Sequence, residues 1–443
     1  MSDVEAQACK VAHDTSSVTR SPQYVTWRER IRLFSWQWHA VVMATAVTSS
    51  IVHLFPYHND SLGLKIVALV VFLIGLLVFT FDLVCIVAKA YLFPKECLEL
   101  IRDPSKSSFA GFIAVGAAGL IDAGLNVNRD WNTGHNGFMY ALWGFWWLDA
   151  ALAYTIAFGV IFFILGQKSR DIAKVVPIWI IPVVALIASS TCGGLLGNAL
   201  ISHSHTMALV SSAFALTMCI IGLSFTTMIT SSFLLRLFIH GVPEATTVLA
   251  TFNTLTPLGQ GGYSLLVNGE NLSKLIPIQL GDDFPQSQLS GQMFYSICFC
   301  FAYILWCMGI AWSLVSIFSI GRRATKLPKF CVTHWCIVFP NGVFALLSVQ
   351  IGNVLDSRFY KGFGAAWSII VFILWTGLFI RSIPAFIDGT IFLSPVPRAP
   401  HKSRKKKSPR HSTDTDQISH GPEILCPFGK SHAIGVQAIR FST

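Results

Sequence analysis

Apolar stretches of about 20 residues recur along this chain from Trp36 to Phe392, and each is long enough to cross the hydrocarbon core of a bilayer as a helix. The composition agrees, because 53% of the 443 residues are hydrophobic and only 12% are charged, whereas a soluble domain carries roughly 25% charged residues. So few charges cannot cover a soluble surface. Since every backbone polar group must be satisfied inside a bilayer, the sequence predicts an all-α integral membrane protein.

Polar clusters divide the apolar stretches into ten predicted spans. Their boundaries lie near Trp36–Phe55, Gly63–Phe93, Phe109–Asn126, Gly137–Gly166, Val175–Leu200, Met207–Ile239, Thr246–Val267, Met293–Ile320, Phe330–Leu355 and Phe363–Phe392. Ten crossings place both termini on the same side of the membrane. The chain therefore divides into an N-terminal segment (1–33), a ten-helix transmembrane domain (34–395) and a basic tail (396–443).

The distribution of Lys and Arg orients these spans. Of 32 such residues, 27 fall in the termini and in the loops after even-numbered spans, if Arg381 near the end of the last span is included. The other five are Lys65, Arg129, Lys274, Arg358 and Lys361. Because the side with excess positive charge faces the cytosol, both termini are expected there. This bias explains the net charge of +10 without a nucleic acid partner.

The outer side and the tail carry features of their own. Two sequons, at Asn59 and Asn271, fall on the predicted outer side, where glycosylation is expected. Beyond Pro395 the tail is rich in Pro, Ser and charge, with the basic run Arg404-Lys405-Lys406-Lys407 at its centre. That composition is typical of a disordered tail. The alternative is attraction to anionic membrane lipid on the cytoplasmic leaflet.

The spans fall into two classes. Even-numbered spans contain nearly unbroken apolar runs such as Ile66–Phe81, which is typical of helices that face lipid. Odd-numbered spans carry glycine, proline and polar groups, most of all span 7, with Thr254, Gln260 and Ser264 beside Pro257. Such groups have few partners in lipid, so they must pack against protein or line a wet cavity. Small residues in one span indicate close helix packing, but their recurrence in alternate spans predicts an inner ring around a central path.

The candidate residues of this path are small or polar and lie on odd-numbered spans. They are Thr45, Ser49, Gly116, Ser190, Gly193, Thr254, Gln260 and Asn341. No odd-numbered span holds a Lys or Arg between its ends, so a positive lining has to come from dipoles. Helices kinked at Pro182, Pro257 and Pro340 are expected to aim backbone N–H groups at an anion.

Ionisable residues inside a membrane are expensive and mark a function or a pair. Asp149 lies within span 4, either as a hydrogen-bond anchor to an inner helix or as a proton-coupling carboxylate. Asp82 and Arg381 lie at similar depths in spans 2 and 10, which become neighbours if the ring closes, so we expect them to pair. His39 and His334 are isolated, and no ligand spacing or nucleotide motif indicates a metal site or a cofactor.

Several segments resemble a known family. They are Phe34-Ser35-Trp36 with Leu54-Phe55-Pro56-Tyr57, Trp146-Trp147-Leu148-Asp149, Ser189-Ser190-Thr191-Cys192-Gly193-Gly194 and Pro257-Leu258-Gly259-Gln260-Gly261-Gly262-Tyr263. These are similar to helices 1, 4, 5 and 7 of the fungal sulfite efflux pumps, in the tellurite-resistance/dicarboxylate transporter family, which is related to plant slow-type anion channels. The resemblance covers roughly Phe34 to Pro395. It implies five helical hairpins in quasi-fivefold arrangement around a central anion pore.

The resemblance also implies a gate. In some family members a phenylalanine in the ninth span closes the pore, and Trp335–Pro340 is similar to that region, so Phe339 is the expected gate and Phe330 the alternative. Phe339 lies about nine residues into its span. At ~1.5 Å per residue that is near the middle of a ~30 Å core.

We therefore expect a multi-pass plasma-membrane exporter of sulfite or bisulfite, which forms a homo-oligomer. A malate or dicarboxylate permease is the nearest alternative, and the lack of a basic residue inside the odd-numbered spans favours the smaller anion. An intramembrane enzyme needs clustered His, Asp or Glu on facing helices, and the sequence offers none, so we expect no enzyme. If the protein were a non-transporting receptor or scaffold, the polar residues of span 7 would have no evident role.

Overall fold

The computed structural model describes residues 26–132, 134–166, 175–245, 247–281, 286–327 and 330–392. All regular secondary structure in these ranges is helical, as the sequence predicts. The ten helices of 15 residues or more are α1 (His39–His53), α2 (Leu62–Leu92), α3 (Gly111–Trp131), α4 (His135–Leu165), α5 (Ile181–Leu200), α6 (His205–His240), α7 (Leu255–Leu280), α8 (Ser287–Arg323), α9 (Val338–Val354) and α10 (Arg358–Ile387). The basic tail, 396–443, lies outside the described residues.

Each odd-numbered helix begins with a short 3₁₀ segment. These segments are Trp36–Trp38, Ser108–Ala110, Pro177–Ile180, Val248–Thr254 and Val332–Ile337. Pro182, Pro257 and Pro340 each fall within the first three residues of α5, α7 and α9. Proline fits there because its missing N–H and fixed φ suit the first turn of a helix. These prolines therefore lie where a 3₁₀ segment passes into an α-helix, rather than in the interior of an α-helix.

The two helix classes differ in how much of each helix the protein covers. In the most apolar stretches of α3, α5 and α9, including their 3₁₀ starts, 78% to 89% of the residues are buried. In the even-numbered helices the share is only 22% to 39%. Their exposed residues are large and apolar, such as Leu77, Val84, Phe162 and Phe238. Apolar surface of this extent suits lipid rather than water, as predicted for the even-numbered spans.

Eight helices in the described ranges are long and apolar enough to cross a membrane, against ten predicted spans. The exceptions are α1 and α7. Helix α1 has only 15 residues, or about 22 Å, and every residue from His39 to Val52 is buried. Helix α7 has 26 residues but carries buried polar side chains, among them Gln260, Asn268 and Asn271. A helix that protein covers on all sides does not need an apolar exterior, so hydropathy does not identify it as a span.

The odd-numbered helices pack against one another in a closed order. Helix α1 contacts α3, α3 contacts α5, α5 contacts α7, α7 contacts α9, and α9 contacts α1. Each also packs against the even-numbered helix that follows it. The five odd-numbered helices, which contact one another in this closed order, therefore form an inner ring.

Glycine permits one of the closest approaches in this ring. A Cβ on Gly259 of α7 would lie 2.7 Å from the backbone nitrogen of Phe344 on α9. A backbone atom cannot turn aside as a flexible side chain can, so a larger residue at this position would force α7 and α9 apart.

Candidate functional site

A cavity of about 210 Å³ lies inside the ring, and all five odd-numbered helices contribute to its wall. The lining residues recur every three or four positions, so each helix presents one face. On α5 and α9 this face consists of Ala188, Thr191, Leu195 and Asn198, and of Phe339, Val343, Leu346 and Gln350. The cavity therefore runs along the axis of the ring.

Half of the residues that line the cavity are polar or charged. Its uncharged polar residues are Ser50, Asn126, Thr191, Asn198, Gln260, Tyr263 and Gln350. Three charged residues also line it, namely Asp122, Arg129 and Glu270. Among the described residues Arg129 is the only Lys or Arg in the wall, and it lies in the last turn of α3. The deep part of the cavity therefore offers hydrogen bonds rather than fixed positive charge.

Phe339 lies between this cavity and a second, much smaller one. The smaller cavity has a volume of about 10 Å³, close to the least that holds one water molecule. Phe339 and Val115 line both cavities, and Phe339 is only 4% exposed. A continuous path along the ring axis must therefore pass the ring of Phe339.

Phe330, the alternative gate residue, lies elsewhere. Its ring centroid is 5.4 Å from that of His334, and the Arg381 guanidinium lies over it at 5.4 Å. Phe330 lines neither cavity. This alternative is therefore not supported by its position.

Gln260 lines the cavity as predicted, whereas Thr45 and Ser49 of α1 do not. Thr45 Oγ1 accepts a hydrogen bond from Trp375 Nε1 of α10 at 3.1 Å. Ser49 Oγ donates to the Ala68 carbonyl of α2 at 2.8 Å. Both side chains therefore face even-numbered helices, where they join the inner ring to the outer helices.

The predicted path residues of α3 and α5 also face neighbouring helices. A Cβ on Gly116 would meet a side chain of α1 at 3.1 Å, and Gly193 packs against the indole of Trp146 on α4. The Ser190 hydroxyl lies 2.7 Å from the Ser264 hydroxyl of α7. These small residues allow close helix packing rather than forming the wall.

The last two predicted path residues bond to their own helical turns. Thr254 Oγ1 donates to the Thr251 carbonyl at 2.8 Å, and Asn341 Nδ2 donates to the Ile337 carbonyl at 2.7 Å. Neither lines the larger cavity. Of the eight candidate path residues, all of which the structure describes, Gln260 alone lines the larger cavity. The residues of α1, α3 and α5 that line the cavity instead include Ser50, Gly119 and Thr191.

Asp122 is a cavity residue that the sequence interpretation missed. It is the only charged residue of the predicted span Phe109–Asn126, and an ionisable residue on an inner span is the signal that points to it. Its neighbours include Asp149 of α4 and the Cys192 thiol of α5. The structure thus brings two carboxyl groups together beside the cavity.

Asp149 lies against an inner helix, as the anchor interpretation requires. The Ser189 hydroxyl of α5 is its polar neighbour. However, neither carboxylate oxygen of Asp149 has a partner at hydrogen-bonding geometry among the described residues, and the Ser189 hydroxyl is equally unpaired. The anchoring hydrogen bond is therefore not formed.

The predicted pair of Asp82 and Arg381 does not form. Asp82 Oδ2 lies 3.7 Å from His39 Nδ1, and both side chains are fully buried. Arg381 instead lies over Phe330. The physical reason is that α1 packs against both α2 and α10, so the residue that faces Asp82 comes from α1.

The two sequons have different environments. Asn59 lies in an exposed turn between α1 and α2, and its glycosylation stays a prediction. Asn271 is fully buried in α7, where its Nδ2 donates to the Gly194 carbonyl at 2.7 Å and its Oδ1 accepts from Asn198 Nδ2 at 3.0 Å. A glycan has no room at this position, so the expectation for Asn271 is wrong.

Apart from the two ring cavities, a third cavity of about 600 Å³ lies beside the N-terminal helix Trp27–Leu33 and is lined by three cations. Arg32 binds Glu96 at 2.7 Å, and Lys89 donates to the Arg32 carbonyl at 2.8 Å. Lys106 lies 3.7 Å from an Asp103 oxygen. Because each of these cations already has a partner within the protein, this third cavity is a weaker candidate for an anion site than the cavity inside the ring.

Comparison with known proteins gives a consistent result. Residues 33–383 match the family model described as voltage-dependent anion channel (SLAC1). The sulfite efflux pump SSU1 of Trichophyton rubrum is 25% identical over 347 residues, 78% of this chain and 89% of that protein. The corresponding Candida albicans pump is 24% identical over 334 residues, 73% and 67% of the two chains. The malic acid transport protein of Schizosaccharomyces pombe is 20% identical over 368 residues, 82% and 81%.

Proposed function

The chain belongs to the voltage-dependent anion channel family, and we propose that it exports sulfite or bisulfite along the axis of its inner ring. In this proposal all ten long helices cross the plasma membrane, as five hairpins in quasi-fivefold arrangement. The short α1 and the polar α7 can span the bilayer because the surrounding helices shield them from lipid. The exposed apolar faces of the even-numbered helices contact lipid and the other copies of a homo-oligomer.

The position of Phe339 between two cavities inside the ring is the observation that carries this proposal. Residues from the first turns of four odd-numbered helices line the smaller cavity: Phe112, Ile181, Thr256 and Phe339. The N-terminal end of a helix is the positive end of its dipole, so these four ends favour an anion there. A lining without a deep cation binds an anion weakly enough to release it, as conduction requires.

The charge bias gives the direction. With both termini in the cytosol, the larger cavity and Arg129 face the outside, and the smaller cavity faces the cytosol. A membrane potential that is negative inside drives a monovalent anion outward with ~2.3 kcal/mol per 100 mV. Export therefore needs no bound nucleotide.

Sulfite or bisulfite is the substrate favoured by the names of two relatives, the sulfite efflux pumps of Trichophyton rubrum and Candida albicans. Malate is the second candidate, because one relative is a malic acid transport protein and because Arg129 gives a dicarboxylate one cation at the mouth of the cavity. A single arginine matches one carboxylate of a dianion, and the rest of the wall does not supply a second cation. The smaller anion therefore fits better.

Sulfite efflux from vesicles loaded with sulfite tests the proposal directly. We expect efflux well above that of vesicles without the protein, reduced by nitrate as a competitor more than by malate. Efflux equal to that of empty vesicles overturns the sulfite assignment, and stronger competition by malate reassigns the substrate.

A matched pair of cysteine variants tests the path itself. Ser50 lines the cavity, whereas its neighbour Ser49 donates to Ala68 on the far side of the helix. We expect a small charged thiol reagent to lower anion flux more than about fivefold in Ser50→Cys by obstructing the path, and to leave Ser49→Cys unchanged. The wild-type chain with its eleven cysteines is the control. Equal inhibition of the two variants contradicts a path through this cavity.

A further inference from the structure

Two buried carboxyl groups, one in the wall of the larger ring cavity and one on the adjacent helix α4, have no cationic partner among the described residues. Asp122 of α3 lines the cavity and is 9% exposed, and Asp149 of α4 is 5% exposed. Asp122 Oδ1 and both oxygens of Asp149 lack a hydrogen-bond partner within the described ranges. The neighbour they share is the fully buried Cys192 thiol of α5.

The other charged groups around Asp122 do not neutralise it. Arg129 is seven residues further along α3, which is about 10 Å along the helix axis. Helix α7 contributes Tyr263 and Glu270 to the same cavity, and neither is a cation at neutral pH. Helices α1 and α9 contribute no titratable side chain to the cavity wall. On α2, Lys65 lies 3.5 Å from Asp130, near the end of α3.

These surroundings favour uncharged carboxyl groups. An ionised carboxylate that is buried without a cation or sufficient hydrogen bonds is strongly disfavoured, and a second carboxyl group beside it adds repulsion. At least one proton is therefore held by the two groups. A protonated carboxyl group is a hydrogen-bond donor, whereas an ionised one only accepts.

We propose that protonated Asp122 donates a hydrogen bond to the anion as it passes, and that Asp149 helps to keep this proton in place. This inference rests on the proposed function, since it assigns a role to one residue in the wall of the same path. The proton stays on the protein and is not transported. Ionised Asp122 repels the anion, so flux is highest at low pH and falls as Asp122 loses its proton at higher pH.

Nitrate flux into proteoliposomes holding the full chain tests this, because nitrate keeps the same charge across the pH range whereas sulfite does not. For the wild type we expect flux to fall with rising pH by up to ~10-fold per pH unit, the limit for a single proton. In Asp122→Asn a neutral amide donor is always present, so flux should stay near the wild-type low-pH value at every pH. Asp130→Asn, near the end of the same helix and outside the cavity, should keep the wild-type profile.

A second variant gives an independent readout. Asp149→Asn removes the repulsion that disfavours ionised Asp122, so the fall in flux should move to lower pH. If Asp122→Asn does not fold, this shift alone decides the question. If Asp122→Asn or Asp149→Asn folds and still shows the wild-type pH profile, the inference is overturned.

An infrared measurement separates this inference from the proposed function. The band of a protonated carboxyl C=O should be present in the wild-type protein at neutral pH and reduced in Asp122→Asn. Absence of anion flux in the wild type at every pH overturns the proposed function. An unchanged infrared band in Asp122→Asn overturns the protonated Asp122 whether or not flux is seen.

Discussion

Phe339→Ala is expected to raise anion flux by about tenfold or more at equal amounts of folded protein, because it removes the ring that separates the two cavities. The side chain is almost fully buried, so truncation joins the two cavities along the axis of the ring. The rate should be measured as the initial efflux of sulfite per amount of reconstituted protein. Phe339→Leu should give an intermediate rate, since a smaller obstacle remains.

Phe330→Ala is the matched control for this experiment. Phe330 is also a phenylalanine at the start of the ninth predicted span, but it packs on His334 beneath Arg381 and lines neither cavity. Its truncation should leave the flux near the wild-type value. A Phe339→Ala protein that folds normally and conducts at or below the wild-type rate would show that the ring fills space rather than closes a path.

Gly259→Ala is expected to destabilise the folded protein by roughly 1–3 kcal/mol or more, the range for overpacking a tightly packed site. The added Cβ would lie 2.7 Å from the backbone nitrogen of Phe344, so relief requires α7 and α9 to separate. Because these helices are neighbours in the ring, the change should also lower the yield of folded protein. The midpoint of thermal unfolding in detergent measures the effect.

Gly144→Ala controls for the general effect of replacing a helical glycine. Gly144 lies on α4, and a Cβ there would meet nothing within 4 Å. Alanine favours a helix over glycine by ~1 kcal/mol, so this variant should unfold at the wild-type temperature or slightly above. If both alanine variants behave alike, the contact between Gly259 and α9 does not limit the packing of the ring.

The division into inner and outer helices could be predicted from sequence because the two classes meet different surroundings. Lipid accepts only apolar surface, so Leu77 and Phe162 on exposed faces belong to continuous apolar runs. A helix covered by protein tolerates Asn271 because a neighbouring helix supplies polar partners, and it tolerates Gln260 because that side chain lines the cavity. Composition therefore distinguishes the two classes without knowledge of the contacts.

The face of each inner helix could not be predicted in the same way. On a helix that borders water, polar residues form a stripe, but a helix buried on all sides has polar residues on several faces. Ser49 and Ser50 are the same residue type at adjacent positions, yet one bonds to α2 and the other lines the cavity. Only the packing of α1 between its neighbours distinguishes them.

Pairing between helices also depends on tertiary order. Hydropathy places Asp82 and Arg381 at similar depths in their predicted spans. It does not show that α1 packs against both of their helices and places His39 opposite Asp82. Asp122 was within reach of sequence reasoning, because it is the only charge in its predicted span.

The closed order of the five inner helices has a genetic consequence. One polypeptide supplies every side of the cavity. The proposed path therefore lies within a single copy, and in a homo-oligomer each copy is expected to conduct independently. A cell that makes a blocked variant together with the normal chain should therefore retain the export contributed by the normal copies. Loss-of-function alleles should be recessive, and the activity of mixed assemblies should be the sum over their subunits.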